Sequence, residues 1–172
     1  MLNIRDYALY SREGRDWTEA FIRAVDDLKK QHGGVLTVPA GEYPTGSIRL
    51  YDDMTLHLEA GAVLRFHQDA AAFPLIDLEF EGMAGLMHQA CIYAEKAKNV
   101  VVTGFGTVDG QGSYWWQQIR EKRRTEYPRP YLVCFADCEH VVLENVTLTN
   151  SPAWTVHPLR CRNVTVRGVN IK

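Results

Sequence analysis

An eleven-residue segment occurs three times in the second half of this chain, and that repetition limits the possible folds more than any other feature. The copies are KNVVVTGFGTV (98–108), EHVVLENVTLT (139–149) and RNVTVRGVNIK (162–172). Aligned on Val100, Val141 and Val164, they carry apolar side chains at offsets 0, 2 and 5, the last being Phe105, Val146 and Val169. Offset 7 holds Thr107, Leu148 and Ile171. Offset 4 holds Gly104, Asn145 and Gly168, residue types that accept a left-handed backbone at a bend. Each copy reads as strand, sharp turn, strand, with one face of each strand buried. A unit this small cannot bury its apolar face by itself, so the copies must stack. The expected architecture is a β-solenoid.

The last two copies lie 23 residues apart and the first two 41 apart. The excess predicts an insertion over 110–130, GQGSYWWQQIREKRRTEYPRP, looping out of one side of a regular coil. Three residues before each anchor valine stand Ala97, Cys138 and Cys161. At the strand spacing of about 4.8 Å these form a predicted inward row, with both cysteines as small apolar fillers.

The chain's 172 residues suffice for one domain with a real core. A net charge of −2 gives no sign of nucleic-acid or anionic-membrane binding. No run of 18 apolar residues predicts a membrane span. The opening MLNIRDYALYSREGRDW lacks a secretory signal pattern, so a cytoplasmic location is expected if Met1 is the true start. Cys91, Cys134, Cys138 and Cys161 lack zinc spacing and read as reduced thiols, so neither metal nor cofactor is expected.

One strong helix signal spans 16–30. Asp16 and Glu19 have capping-box spacing, and Trp17, Ala20, Phe21, Ala24, Val25 and Leu28 share a face. Such a helix would lid the exposed first coil of a solenoid. Short strands follow, while 67–90 reads as a long loop with a helical turn.

Four stretches, in this order on a solenoid, carry a family resemblance: GGVLTVPAGEYPTGSIRL (33–50), TLHLEAGAVLRF (55–66), GTVDGQGSYWW (106–116) and NSPAWTVHPLRCRNVTVRGVNI (150–171). Together they resemble the N-terminal half of glycoside hydrolase family 28, the polygalacturonases and related pectin-degrading enzymes. The resemblance implies an all-β, right-handed parallel β-helix of the pectin lyase-like type, with residues 1–172 as its N-terminal portion. It implies a pectic poly- or oligosaccharide as the partner and inverting hydrolysis as the reaction. The family's catalytic motifs, Asn-Thr-Asp, Gly-Asp-Asp, Gly-His-Gly and Arg-Ile-Lys, are absent here. The catalytic coils are therefore expected to be missing and the chain alone inactive.

The candidate substrate-binding residues are His157, Arg129, Trp115, Trp116 and Asp109. His157, in WTVHP, could donate to a sugar carboxylate or hydroxyl, or pack as a structural histidine. Arg129, before Pro130, could clamp a carboxylate. Trp115 and Trp116 cannot both face the core, so one could stack on a sugar ring. Asp109, between Val108 and Gly110, reads first as a turn aspartate. Trp154 reads as core rather than sugar platform. Arg120, Lys122, Arg123 and Arg124 form a basic run that could steer a polyanion, or simply a solvated face. Two rival readings remain: a non-catalytic carbohydrate-binding β-solenoid, and a pectate-lyase-like enzyme using calcium.

Overall fold

The computed structural model describes residues 1–121 and 126–172. Three parallel sheets run along one axis. Sheet A stacks Leu2–Asn3, Gly34–Val38, Met54–Leu58, Lys98–Gly104, Glu139–Glu144 and Arg162–Arg167. Sheet B stacks Gly41–Thr45, Ala62–Phe66, Thr107–Asp109, Thr147–Thr149 and Asn170–Ile171. Sheet C stacks Ile48–Leu50, Ile92–Glu95, Val133–Ala136 and Val156–Leu159. The chain visits A, B and C in turn on each coil, the parallel β-helix that the repeats call for.

Alternation along each strand builds the core. One inward row runs Leu36, Leu56, Val102, Leu143 and Val166 in direct register through sheet A. The first four are buried, each worth about 1.5–3 kcal/mol, and Val166 is 48 % exposed, with no coil stacked on it in this chain. The outer face of sheet A carries alternating charges. Glu144 accepts from Thr103 at 3.2 Å on one coil and from Arg167 at 2.6 Å on the next. Glu139 likewise sits between Lys98 and Arg162. Being exposed, such pairs add little stability, but a register slip would set like charges opposite one another.

The bends follow the sequence. Gly104, Asn145 and Gly168 all have positive φ, as offset 4 requires. A second left-handed row, Asp53, Asn99, His140 and Asn163, precedes the anchors, with the Asn99 amide donating to Asp53 at 2.7 Å. Ala97 and Cys138 are buried in the expected small-residue row. Cys161 continues it, its sulfur 3.4 Å from the Cys138 backbone nitrogen.

One expected row is corrected. Thr107 pairs with Thr147, and Val108 with Leu148, so the first copy holds one extra residue at its bend. Phe105 is that residue and is 72 % exposed. A side chain at either neighbouring glycine would clash: a Cβ at Gly104 would lie 2.0 Å from the Leu58 carbonyl oxygen, and one at Gly106 2.6 Å from the Leu58 Cβ. The tight corner thus turns the largest side chain outward.

Helix α1 (Thr18–Lys30) covers the first coil with its predicted apolar face, and all six named residues are buried. Its start differs from the capping box. Asp16 accepts from the Thr18 backbone N–H and from His67 of the second coil, while Glu19 pairs with Arg23 instead of reaching back.

The region 67–90 is a second correction. A short 3-10 turn, Ala70–Ala72, leads into an antiparallel hairpin, Leu75–Phe80 with Met83–His88. Glu81 and Gly82 both have positive φ, the tight two-residue hairpin loop that matches strand twist. The insertion after residue 110 forms α2 (Ser113–Arg120). Both excursions leave the solenoid at the corner between sheets B and C, on consecutive coils, and both serve the same face.

Candidate functional site

Sheet C carries the candidate site. Alternation sends Ile48, Ile92 and Val133 into the core and leaves Arg49, Tyr93, Cys134 and His157 in register on the outer face. That outer row changes character along the axis. Arg49 pairs with Glu95 at 3.1 Å and lies over the rings of Tyr51 and Tyr93. Tyr93 and Cys134 are buried under the hairpin in a separate small core with Leu78, Met87 and Tyr131. His157 is half-buried at the edge of this cover.

The ring of His157 lies 4.4 Å from that of Tyr131, which in turn stacks on Phe80 at 5.5 Å. Burial pushes the His157 imidazole below its ordinary value of 6.5, against the opposing charge of Glu79. At neutral pH the ring is uncharged, one nitrogen donating and the other accepting. Burial pushes the Tyr131 phenol up to about 12, and it donates to the Glu79 carbonyl at 3.1 Å. Burial also raises the Cys134 thiol. Arg160, at the end of the His157 strand, is held bidentately by Asp137 at 2.7 and 2.9 Å and lies 3.5 Å from Glu79. The face beside His157 is therefore rigid, mostly neutral and rimmed by one fixed guanidinium.

The corner leading to His157 is a close clamp between two of the stretches singled out in the sequence. Gly110 donates to the Thr149 carbonyl and Gly112 to the Asn150 carbonyl, at 3.0 and 2.8 Å. The Asn150 amide donates to Asp109 at 2.9 Å, and the Trp116 indole N–H to the Ser151 carbonyl at 2.9 Å. A Cβ at Gly112 would lie 2.5 Å from the Ser151 oxygen. VDGQGSYWW and NSPAWTVHP thus hold each other and fix the entry of the His157 strand.

Of the five candidates, the structure brings one to this face. His157 is on it. Arg129 is half-buried two residues before Tyr131, in the stretch whose Pro128 carbonyl accepts from His88. Asp109 lies off it, its carboxylate accepting from the Gln111 backbone and the Asn150 amide. The tryptophan pair divides as its adjacency demands: Trp115 is 1 % exposed and anchors α2, while Trp116 is 38 % exposed. Trp154, expected in the core, is instead 56 % exposed in the turn before the His157 strand. Arg120 is exposed on α2, and Lys122, Arg123 and Arg124 lie outside the described residues. Sequence reasoning missed Phe80, Glu79 and Tyr131. The Glu81-Gly82 loop was the available signal for the first two; nothing local marked Tyr131.

The sequence pattern of Glycosyl hydrolases family 28 matches residues 34–172. A "Probable polygalacturonase" from Vitis vinifera is 38 % identical over 163 residues, 90 % of this chain and 33 % of that protein. Among solved structures, a hyperthermoactive exopolygalacturonase from Thermotoga maritima superposes with a TM-score of 0.87 and 29 % identity, over 99 % of this chain and 46 % of that one. The family 28 exopolygalacturonase of Yersinia enterocolitica shares the fold, with a TM-score of 0.83 and 22 % identity over 98 % of this chain and 38 % of that one. The chain spans a third or less of the length of the curated relatives it matches.

Proposed function

The chain belongs to glycosyl hydrolase family 28, and we propose that it is the N-terminal portion of an enzyme that hydrolyses pectin-type polygalacturonate with inversion. Inversion requires an acid and a base about 6.5–9.5 Å apart, flanking the scissile bond. Among the named positions on the outer face of sheet C, the only carboxylate is Glu95, and it is paired with Arg49. This portion therefore supplies floor and wall: His157 as a neutral hydrogen-bonding group, with Arg129 as a carboxylate clamp. The acid and base come from elsewhere, and the 172 residues alone do not turn over substrate.

The observation that carries the reading furthest is the hairpin. By covering Tyr93 and Cys134, it closes the sheet C face over the second and third coils, with His157 of the fourth half-buried at the edge of the cover. A groove closed at one end accepts a chain terminus, so the reading favours cleavage from the end of the polymer. The exopolygalacturonase of Thermotoga maritima, 29 % identical to this chain, supports it.

A second reading is a carbohydrate-binding solenoid without catalysis, favoured by that lack of a carboxylate pair. The deciding experiment adds oligogalacturonides to the purified chain while following the His157 imidazole by NMR and counting reducing ends. A shift at His157 with no new reducing ends is expected. Reducing ends released by this chain alone would overturn the division of labour, and an unmoved His157 would overturn the substrate assignment.

A further inference from the structure

The two insertions enclose another cavity between them, off the sheet C face. It measures about 390 Å³, within the range of small-ligand sites. Phe73 and His88, at the two ends of the hairpin region, form one side, and Tyr114, Trp115 and Gln118 of α2 form the other. Glu126 and Tyr127 complete the rim.

Trp115 is the hub of this lining. Its ring lies 5.8 Å from Phe73, 5.6 Å from His88 and 5.1 Å from Tyr114, and His88 lies 6.1 Å from Tyr127. The His88 ring is turned by its contact with the Phe73 carbonyl at 3.3 Å. The Trp115 indole N–H is buried without a hydrogen-bond partner among the described residues. The cavity thus combines a buried aromatic floor, half-buried tyrosine rings at its sides, and an amide, two phenols and a carboxylate at its edge.

We propose that this cavity binds a single neutral sugar residue. A sugar ring presents C–H bonds on its faces and hydroxyls around its edge. The C–H faces suit the negative faces of aromatic rings, and the hydroxyls suit the Gln118 amide, which donates and accepts, and the Glu126 carboxylate, which accepts. The volume admits one residue rather than a chain. No lysine or arginine lines it among the described residues, whereas Glu126 contributes a carboxylate, so a uronate is repelled. The site is therefore distinct in charge from a polygalacturonate groove, and it stands whether or not the hydrolytic reading holds.

Saturation-transfer NMR on the 172-residue chain tests it, with the methyl glycosides of rhamnose, arabinose, galactose and xylose as probes and galacturonate as the comparison. At least one neutral glycoside should receive saturation, and galacturonate should not compete with it. Gln118→Ala, at the cavity edge, and Tyr127→Ala, at its side, should each weaken that binding about fivefold, the scale of one lost hydrogen bond. Circular dichroism confirms that each variant folds, and the edge variant carries the test if the other does not. Absence of saturation for all four probes, equal binding after Gln118→Ala, or displacement by galacturonate would each overturn the proposal.

Discussion

The stacked body of sheets A and B and the two excursions at the B-to-C corner obey different rules. In the body, one residue predicts its neighbour a coil away: Leu56 stands beside Val102, which stands beside Leu143. In the excursions nothing repeats. A hairpin rises on one coil and packs on the outer face of sheet C, and a helix rises on the next, its Trp115 set against Phe73 and His88. The body is a scaffold whose stability comes from many equivalent rows. The excursions cover the middle of one face of that scaffold and line a separate cavity.

The contrast can be broken most forcefully in the body. Leu56→Ala, at a fully buried position flanked by coils on both sides, should cost about 2–5 kcal/mol in urea unfolding. The loss should appear in amides of every coil at once, since the rows are shared. Protection lost only near residue 56 would show that the coils unfold independently.

Phe80→Ala should act on the other region. It removes the ring stacked on Tyr131 and should cost about 1–2 kcal/mol, felt by the hairpin alone. Hydrogen exchange should quicken across 75–88 while sheets A and B keep their protection. Equal loosening of both regions would mean that the hairpin is part of the body's cooperative unit.

A smaller effect is expected where α1 meets the second coil. Burial alone would raise the Asp16 carboxyl, but hydrogen bonds from His67 and Thr18 outweigh it and hold the group below its ordinary 3.8. A depressed folded value means stability that is present at higher pH and lost as pH falls through it. The helix contact should therefore loosen below about pH 4. Asp16→Ala should remove that acid dependence and cost about 1 kcal/mol at neutral pH, read from thermal melts across pH.

Smallest of all, Glu144→Gln on the charge ladder should leave stability nearly unchanged at moderate salt. A larger, salt-sensitive loss would show that the ladder stabilises the stack as well as selecting its register.

These regions also differed in how far they could be read in advance. The anchor valines, the left-handed bends, the small-residue row and the apolar face of α1 were all legible, because each follows from local periodicity. The row through Phe105 was misread by one residue, since an extra residue at a corner leaves no periodic trace and only the Leu58 carbonyl excludes the alternative. The hairpin was missed because its alternation is imperfect: Leu75, Met83 and Leu86 are exposed apolar residues. For the site, adjacency was enough to show that Trp115 and Trp116 must part, but not which would turn inward.

The sequence by itself determined the stacked coil, the lid helix and the family to which the chain belongs, because repeating side-chain chemistry needs no distant partner to be interpreted. Tertiary structure alone decided that the hairpin lies over Tyr93 and Cys134 and that Tyr131 meets His157. It also decided that two unrelated insertions enclose a cavity. Those contacts join residues tens of positions apart on non-repeating segments, where packing and burial choose among conformations that local propensity leaves open.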